Sequence, residues 1–293
     1  MMKKVKISVI IPCFNEEKTI GNIVKKILSL YPDFEVIVVD DGSTDQTVKM
    51  AMDAGAITIR HPYNIGNGAA VKSGIRKAKG DIFVFMDADG QHDPKDISLL
   101  LDSISDYDMI VGARSKEQQA TIFRGFGNYL CNVVASYVAK FRVRDLTSGF
   151  RCVKASVARQ FLYLLPNQYS YPTTSTLYIL RTGRSLKYID INVSTRLAGK
   201  SHIKLFRDGI RFFLIIIKIC TLFSPFRVFL PLSFIVFITG LCYYIYTYLA
   251  WGRFTNMSAL MFTTAIIVFM IGLVSEQICQ IVYERSEKSS NRE

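Results

Sequence analysis

The sequence predicts an α/β fold: a largely parallel, doubly wound, Rossmann-like sheet followed by a two-helix membrane hairpin. Three observations lead there. Short runs of β-formers alternate with amphipathic stretches through the first 114 residues, acidic or glycine-rich turns follow those runs, and two long uncharged apolar segments close the chain. The stretch that organises the rest is "IFVFMDADGQHDP", residues 82–94. A run of β-formers ending in Asp87, Ala88 and Asp89 delivers two carboxylates to the exposed end of a buried strand, and paired hard oxygen ligands suit Mg²⁺ or Mn²⁺.

In chain order, "VKISVIIP" reads as a buried strand stopped by Pro12, and "CFNEEKTIGNIVKKILSLYP" as loop then helix, with Glu16 and Glu17 at the positive end of the helix dipole. "FEVIVVDDGSTDQT" repeats the pattern of strand, acidic turn and helix. "AITIRH" is a third strand, "NIGNGAAVKSGIRKAKG" a glycine-rich turn opening a helix, and the strand ending at Asp87 and "DMIVGAR" bring the strands to five. Right-handed crossovers place the strand ends of such a sheet on one edge, so Asn15, Asp40, Asp41, Asp87 and Asp89 are expected to project together. The glycine-rich turn fits neither common phosphate motif: Val71 takes the third glycine position of the dinucleotide fingerprint, and Lys72 and Ser73 lack the glycine spacing of a Walker loop. Close approach of a nucleotide and plain helix packing both remain open for it.

After Arg114 the alternation stops. "IFRGFGNYLCNVVASYVAKFRV" is helical by its three- and four-residue apolar spacing, and either packs on the sheet or lies on a membrane surface. From 203 to 222, Lys204, Arg207, Arg211 and Lys218 fall within about 60° of one another on a helix. Such a basic stripe on an otherwise apolar surface fits an interfacial helix with its cations on lipid phosphates; a solvated soluble face is the alternative. Val228–Ala250 and the run from Ser258 to about Ile281 are uncharged until Glu276. Twenty-three helical residues reach roughly 35 Å, enough for a bilayer core, whereas two buried helices of a soluble core are the competing possibility.

Charge decides among partners. Of the net +12, the segment 196–227 carries seven basic residues against Asp208 alone, beside the first apolar helix, which points to anionic lipid headgroups and away from nucleic acid. The loop "WGRFTNM" has a single Arg while the flanks are rich in Lys and Arg, so both termini are expected in the cytosol. Lys3, Lys4 and Lys6 lead directly into a strand with no signal peptide in view, and six scattered cysteines form neither a disulfide framework nor a zinc site. The expected organisation is a cytosolic catalytic domain over 1–202, a juxtamembrane amphipathic helix over 203–227, a hairpin over 228–282 (about 228–250 and 258–281) and a cytosolic tail over 283–293.

With these residues in hand, the chain resembles the family 2 glycosyltransferases of GT-A fold, in particular the polyprenyl-phosphate glycosyltransferases that include dolichol-phosphate mannose synthases and bacterial undecaprenyl-phosphate enzymes. "VIIPCFNEEKTI", "VVDDGSTDQT", "NIGNGAAVKSGI" and "FMDADGQHDP" look like the family's donor-side motifs in their usual order. "DLTSGFR" and "RLAGKSHIK" look like its acceptor-side and donor-phosphate motifs, and "GLVSEQICQIVYE" is similar to the end of its final membrane helix. The resemblance implies that Pro12, Asn15, Glu16, Asp40, Asp41, Lys72, Asp87 and Ala88 line the nucleotide pocket, and that Asp87, Asp89 and Gln91 hold the divalent cation. It implies that Arg114, Arg124 and Asn128 receive the lipid phosphate, that Arg196 and Lys204 contact the donor diphosphate, and that Asp145 stands where a base has been proposed.

The implied reaction moves one sugar from a UDP- or GDP-sugar to polyprenyl phosphate with inversion, Asp89, Asp145 and Arg196 carrying the chemistry. A lipid phosphate, with a second pKa near 6, is already largely dianionic, so Asp145 could position charge instead of taking a proton; a helix cap before "LTSGF" is the structural alternative. A processive polysaccharide synthase is disfavoured because the sequence lacks a Gln-Xaa-Xaa-Arg-Trp motif and its only Trp, Trp251, lies at the hairpin loop. A non-catalytic membrane scaffold for nucleotide sugars conflicts with the intact acidic motifs. Aromatic-rich helices such as "GLCYYIYTYLAW" could pack against a second subunit or only against lipid.

Overall fold

The computed structural model describes residues 5–114, 132–133, 135–137, 139–168, 171–193 and 224–290, apart from the side chains of 285–290. The juxtamembrane stretch and Arg124, Asn128, Arg196 and Lys204 lie outside the described residues.

The five expected strands form: β1 (Ile7–Cys13), β2 (Glu35–Asp40), β3 (Ile57–Arg60), β4 (Ile82–Phe85) and β5 (Met109–Arg114). Helices α1 (Ile20–Leu30), α2 (Thr47–Asp53), α3 (Asn67–Lys77) and α4 (Ile97–Leu101) connect them. Two further strands were not expected, β6 (Arg151–Lys154) and β7 (Leu186–Ile191), with α5 (Ala155–Phe161) and α6 (Tyr171–Arg181) between them. The sheet order is β3-β2-β1-β4-β6-β5-β7. β6 runs antiparallel to both β4 and β5, so the sheet is mixed where a largely parallel one was expected. The remaining pairs are parallel.

Alternation along the strands sorts the core into two faces. Ile10, Ile37, Val39, Phe83, Phe85 and Val111 pack towards α3, α5 and α6, whereas Val9, Ile11, Val36, Val38, Val84 and Ile110 pack towards α1 and α4. Helices on both faces make the sheet doubly wound. β1 does not stop at Pro12 as the sequence suggested: Pro12 and Cys13 still pair with Val39 and Asp40. Pro12 is tolerated because it lies beyond Ile7–Ile10, the part of β1 that also pairs with β4.

Helices α7 (Pro225–Trp251) and α8 (Asn256–Ser290) form the C-terminal hairpin. Both are long and apolar enough to cross a membrane. Phe234, Ile235, Leu249, Ile266 and Ile267 are each more than half exposed, which two buried helices of a soluble core would not allow. The helices approach closely at small residues: a Cβ on Gly240 would fall 2.9 Å from Met261 Cβ, and one on Gly272 2.7 Å from Phe229 Cβ.

α8 runs on past the apolar stretch and docks on the sheet domain. Arg181, at the end of α6, donates to Glu276 Oε1 (2.8 Å) and Ser224 Oγ (3.0 Å) and lies 5.2 Å from the Tyr283 ring centroid. Tyr283 in turn stacks on Tyr178 at 5.9 Å. Glu276 therefore ties the hairpin to the sheet domain, beside a cavity of about 390 Å³ lined by Arg181, Arg227, Phe226 and Leu177. Both ion-pair side chains are partly exposed, at 20% and 24%, so Glu276→Gln should destabilise the protein by only about 1–2 kcal/mol. A thermal melt in detergent should show a midpoint lowered by a few degrees; an unchanged midpoint would mean the pair contributes nothing.

Candidate active site

The acidic edge forms because β1, β2 and β4 run parallel and end on the same side. Beyond β4, Asp87 and Asp89 flank Ala88, whose carbonyl accepts from Thr19 Oγ1 at 2.6 Å and so fixes the turn to the start of α1. Asp89 is 8% exposed and its Oδ1 accepts from the Gln91 backbone N–H at 3.1 Å.

Against Asp87 stands Gly149, from the turn before β6. A Cβ on Gly149 would lie 2.2 Å from Asp87 Oδ2, so only glycine leaves the carboxylate its place. That turn is built by Asp145, whose Oδ1 accepts from the backbone N–H groups of Thr147 and Ser148, both at 3.1 Å. The helix-cap possibility is thereby corrected: the residues after Asp145 turn into β6, not into a helix.

Asp145 is 4% exposed and holds Arg114 in a fork, Nε to Oδ2 at 2.9 Å and Nη2 to Oδ1 at 3.2 Å. Arg114 Nη2 also donates to Thr147 Oγ1 at 2.7 Å. Burial alone would raise the Asp145 carboxyl, but Arg114 and the turn N–H groups outweigh it and hold it below the usual carboxylate range. Arg114 is held above its ordinary value by Asp145, Asp87 and Asp89 against the effect of burial. Arg114 thus lies within the field of all three carboxylates, Asp87, Asp89 and Asp145. His92, which the sequence did not single out, lies among them, stacked on Phe150 at 5.0 Å, and burial pushes it down to about 4, so it is neutral at physiological pH.

On the donor side, Asp40 and Asp41 are buried at 0% and 3% exposure and serve the loops around them. Asp40 accepts from Ser43 N, while Asp41 accepts from Ile65 N (3.0 Å) and Gly66 N (2.8 Å) and contacts His61 Nδ1 at 2.7 Å. Asn15 is exposed, with φ of 55°, and its Oδ1 accepts from Thr44 N at 3.0 Å. Glu16 N donates to Thr47 Oγ1 at 2.8 Å, so the loops after β1 and β2 are laced together above buried Pro12.

The glycine-rich turn resolves towards packing. Gly68 N and Ala69 N donate to the carbonyls of Gln168 and Asn167, and a Cβ on Gly68 would fall 2.0 Å from Pro166 O. The start of α3 thus meets protein carbonyls, and Lys72 Nζ, expected at the nucleotide, donates to Asn167 Oδ1 at 2.6 Å.

Among the described residues no three His, Cys, Asp or Glu side chains converge as a ready-made metal cage. The donor set nevertheless fits a hard divalent cation: two carboxylates and Gln91 follow one strand end, with the Asp87 carboxylate seated against Gly149. Mg²⁺-type sites commonly use one or two carboxylates and take their other ligands from water and substrate phosphates.

Comparison with known proteins identifies the family. The family model described as Glycosyl transferase family 2 matches residues 8–163, and that described as GtrB C-terminal hairpin matches 224–281. An uncharacterized protein of Methanocaldococcus jannaschii is 32% identical over 203 residues, 66% of this chain and 83% of its own length. A UDP-N-acetylglucosamine–dolichyl-phosphate N-acetylglucosaminyltransferase of Methanococcus voltae is 29% identical, over 64% of this chain and 85% of that protein. The dodecaprenyl-phosphate galacturonate synthase of Rhizobium johnstonii is 29% identical over 54% of this chain, and there the match spans only about half (51%) of the relative's length. The glucosyl-3-phosphoglycerate synthase of Mycobacterium tuberculosis, solved with Mn²⁺ and UDP-glucose, superposes with a TM-score of 0.60 at 22% identity, covering 74% of this chain and 78% of that one; at such identity it speaks for the GT-A fold alone. Since the first family model alone spans more than half of the 293 residues, the protein belongs to glycosyl transferase family 2.

Proposed function

We propose that the protein is a metal-dependent, inverting glycosyltransferase that moves one sugar from a UDP- or GDP-sugar to polyprenyl phosphate at the cytosolic face of a membrane. The observation that carries this is the combination, in one chain, of the paired carboxylates at the end of β4 with a hairpin of the GtrB kind. Relatives whose names include dolichyl, undecaprenyl and dodecaprenyl phosphates support the acceptor. The scarcity of basic residues in the hairpin loop, set against the Lys- and Arg-rich flanks, supports a cytosolic catalytic domain and cytosolic termini. The basic segment 203–227 would then rest on anionic headgroups.

In the reaction, an acceptor phosphate oxygen attacks the anomeric carbon as the bond from that carbon to the donor's diphosphate oxygen breaks, and the nucleoside diphosphate leaves. Mg²⁺ or Mn²⁺, when bound, supplies positive charge where the leaving diphosphate becomes more negative. Asp87, Asp89 and Gln91 would hold it, and Arg196 and Lys204 are expected to meet the same phosphates. Arg114, oriented by the fork from Asp145, offers its outer edge, with 31% of the side chain exposed, to the acceptor phosphate.

Asp145 then acts as an orienter and needs no proton. Its folded-state pKa lies below the ordinary value, so the charge that holds Arg114 is present above the unfolded carboxylate pKa and is lost only as pH falls through the lowered one. Between pH 5 and 8 the acid limb of kcat/KM for the acceptor should therefore follow the free acceptor phosphate, at about pH 6. Asp145→Asn should lower the rate while leaving that limb in place; disappearance of the limb in the variant would make Asp145 the titrating base.

The direct test incubates the purified protein in vesicles with undecaprenyl phosphate and a panel of labelled UDP- and GDP-sugars, with and without EDTA. Transfer from one donor, abolished by EDTA and restored by Mg²⁺ or Mn²⁺, is expected. No transfer from any donor, or transfer indifferent to EDTA, contradicts the proposal.

A further inference from the structure

Among the described residues, Arg151 is one of the largest side chains with no exposure at all. It opens β6 opposite Phe85, the last residue of β4 and two positions before Asp87. Its Nε and Nη2 donate to Ser148 O, and Nη1 donates to Pro172 O (2.8 Å), Ser175 Oγ (2.7 Å) and Thr176 Oγ1 (3.2 Å). Every acceptor it reaches among the described residues is a neutral carbonyl or hydroxyl oxygen. The guanidinium also lies 5.8 Å from the Tyr171 ring centroid, and Tyr171 OH donates to Gly149 O at 3.1 Å. Arg151 and Tyr171 thus grip the two carbonyls of the turn that presses on Asp87 and folds around Asp145.

A buried cation held only by neutral groups is costly, and arginine cannot relieve that cost by losing its proton. An apolar residue would fill a strand of this kind at less expense. What the position adds is charge: Asp87 packs against the turn, Asp145 folds it, and Asp89 follows Asp87 by two positions. Burial pulls the Arg151 guanidinium down from its ordinary value, and Asp145 and Asp87 are among the groups that oppose this, as expected if it sits within their field.

We propose that Arg151 is a positioning residue that doubles as a resident counter-charge: it fixes the 148–149 turn behind Asp87 and offsets the carboxylates until a divalent cation arrives with the donor diphosphate. The consequence is selectivity in the order of assembly. With Arg151 behind them the carboxylates attract a lone cation weakly, so the cation is held well only when the donor's phosphates supply further ligands. This rests on the proposed metal-dependent reaction, and the test separates the two.

Mn²⁺ binding to the full chain in detergent is measured by electron paramagnetic resonance, with no nucleotide and then with UDP or GDP. Arg151→Gln, which keeps a hydrogen-bond donor and loses the charge, should bind Mn²⁺ alone roughly fivefold or more tighter than the unmodified protein. The gain produced by nucleotide should shrink accordingly. Arg151→Lys, which keeps the charge, should stay within about twofold of the unmodified protein. A residue with a merely structural role would give the opposite sign, weaker Mn²⁺ binding in both variants, and equal or weaker binding by Arg151→Gln overturns the inference. If Arg151→Gln folds only with Mn²⁺ present, the cation is replacing the lost charge, as expected. Failure to fold with and without Mn²⁺, in this variant alone or in both, shows that the fold needs the arginine whatever cation is present and also overturns it. Should the unmodified protein take up no Mn²⁺ under any condition, the proposed metal dependence falls first and the inference with it.

Discussion

Replacing Asp89 by Asn should lower sugar transfer by about 10²–10³-fold, the scale on which enzymes lose rate when one group stabilising developing charge is removed. The substitution is nearly isosteric, and an amide oxygen can still accept from Gln91 N–H as Asp89 Oδ1 does at 3.1 Å. The fold should therefore persist, with a thermal midpoint close to that of the unmodified protein. What disappears is one of the two negative charges at the end of β4. The loss should appear in kcat at saturating donor and Mn²⁺, and EDTA should remove little more activity from the variant. A variant that transfers sugar at the normal rate would remove Asp89 from the reaction and with it the proposed role of the acidic pair.

Gly149→Ala should lower activity by about 10²-fold without changing any charge, because displacing a catalytic group by about 1 Å is enough for a loss of that size. The added methyl would fall 2.2 Å from Asp87 Oδ2 and 2.7 Å from its Cγ. The turn cannot retreat easily: Ser148 Oγ donates to Gly112 O at 2.6 Å, and Arg151 and Tyr171 hold its carbonyls. Asp87 must move instead. If Gly149→Ala acts through Asp87, adding it to Asp87→Ala should cost little further activity, whereas independent roles would give additive losses. Full activity in the single variant would show that Asp87 can yield without consequence.

How much of this was legible in the sequence follows from the range of the interactions. β1 to β5 could be read because each is a local run rich in β-branched residues, the first four closed by an acidic or glycine-rich turn, and the paired carboxylates at 87 and 89 lie in one such turn. β6 could not: "RCVK" is four residues with a cation at each end, and it is a strand only because β4 and β5 leave a place for it. β7, "LKYIDI", does alternate, but it follows a stretch where the strand–helix rhythm had ended. Gly149 and Arg151 were visible only as letters of "DLTSGFR", since their roles come from contact with Asp87 and with the start of α6. Asp40, Asp41 and Lys72 were expected at the nucleotide because their motifs resemble the family's donor-side motifs. The structure gives each a protein partner, which periodicity does not reveal. The hairpin was legible throughout, because unbroken apolar length is a property of sequence alone.

The central claim, one sugar carried to a lipid phosphate, is tested most directly by the products of a single reaction. Undecaprenyl phosphate and the accepted nucleotide sugar are incubated with the purified protein, the lipid is weighed by mass spectrometry and the released nucleotide is identified. The predicted result is a lipid heavier by one sugar residue, carrying a single phosphate, with one nucleoside diphosphate released for each lipid consumed. A lipid diphosphate with release of nucleoside monophosphate, or a ladder of several sugars on one lipid, would contradict it.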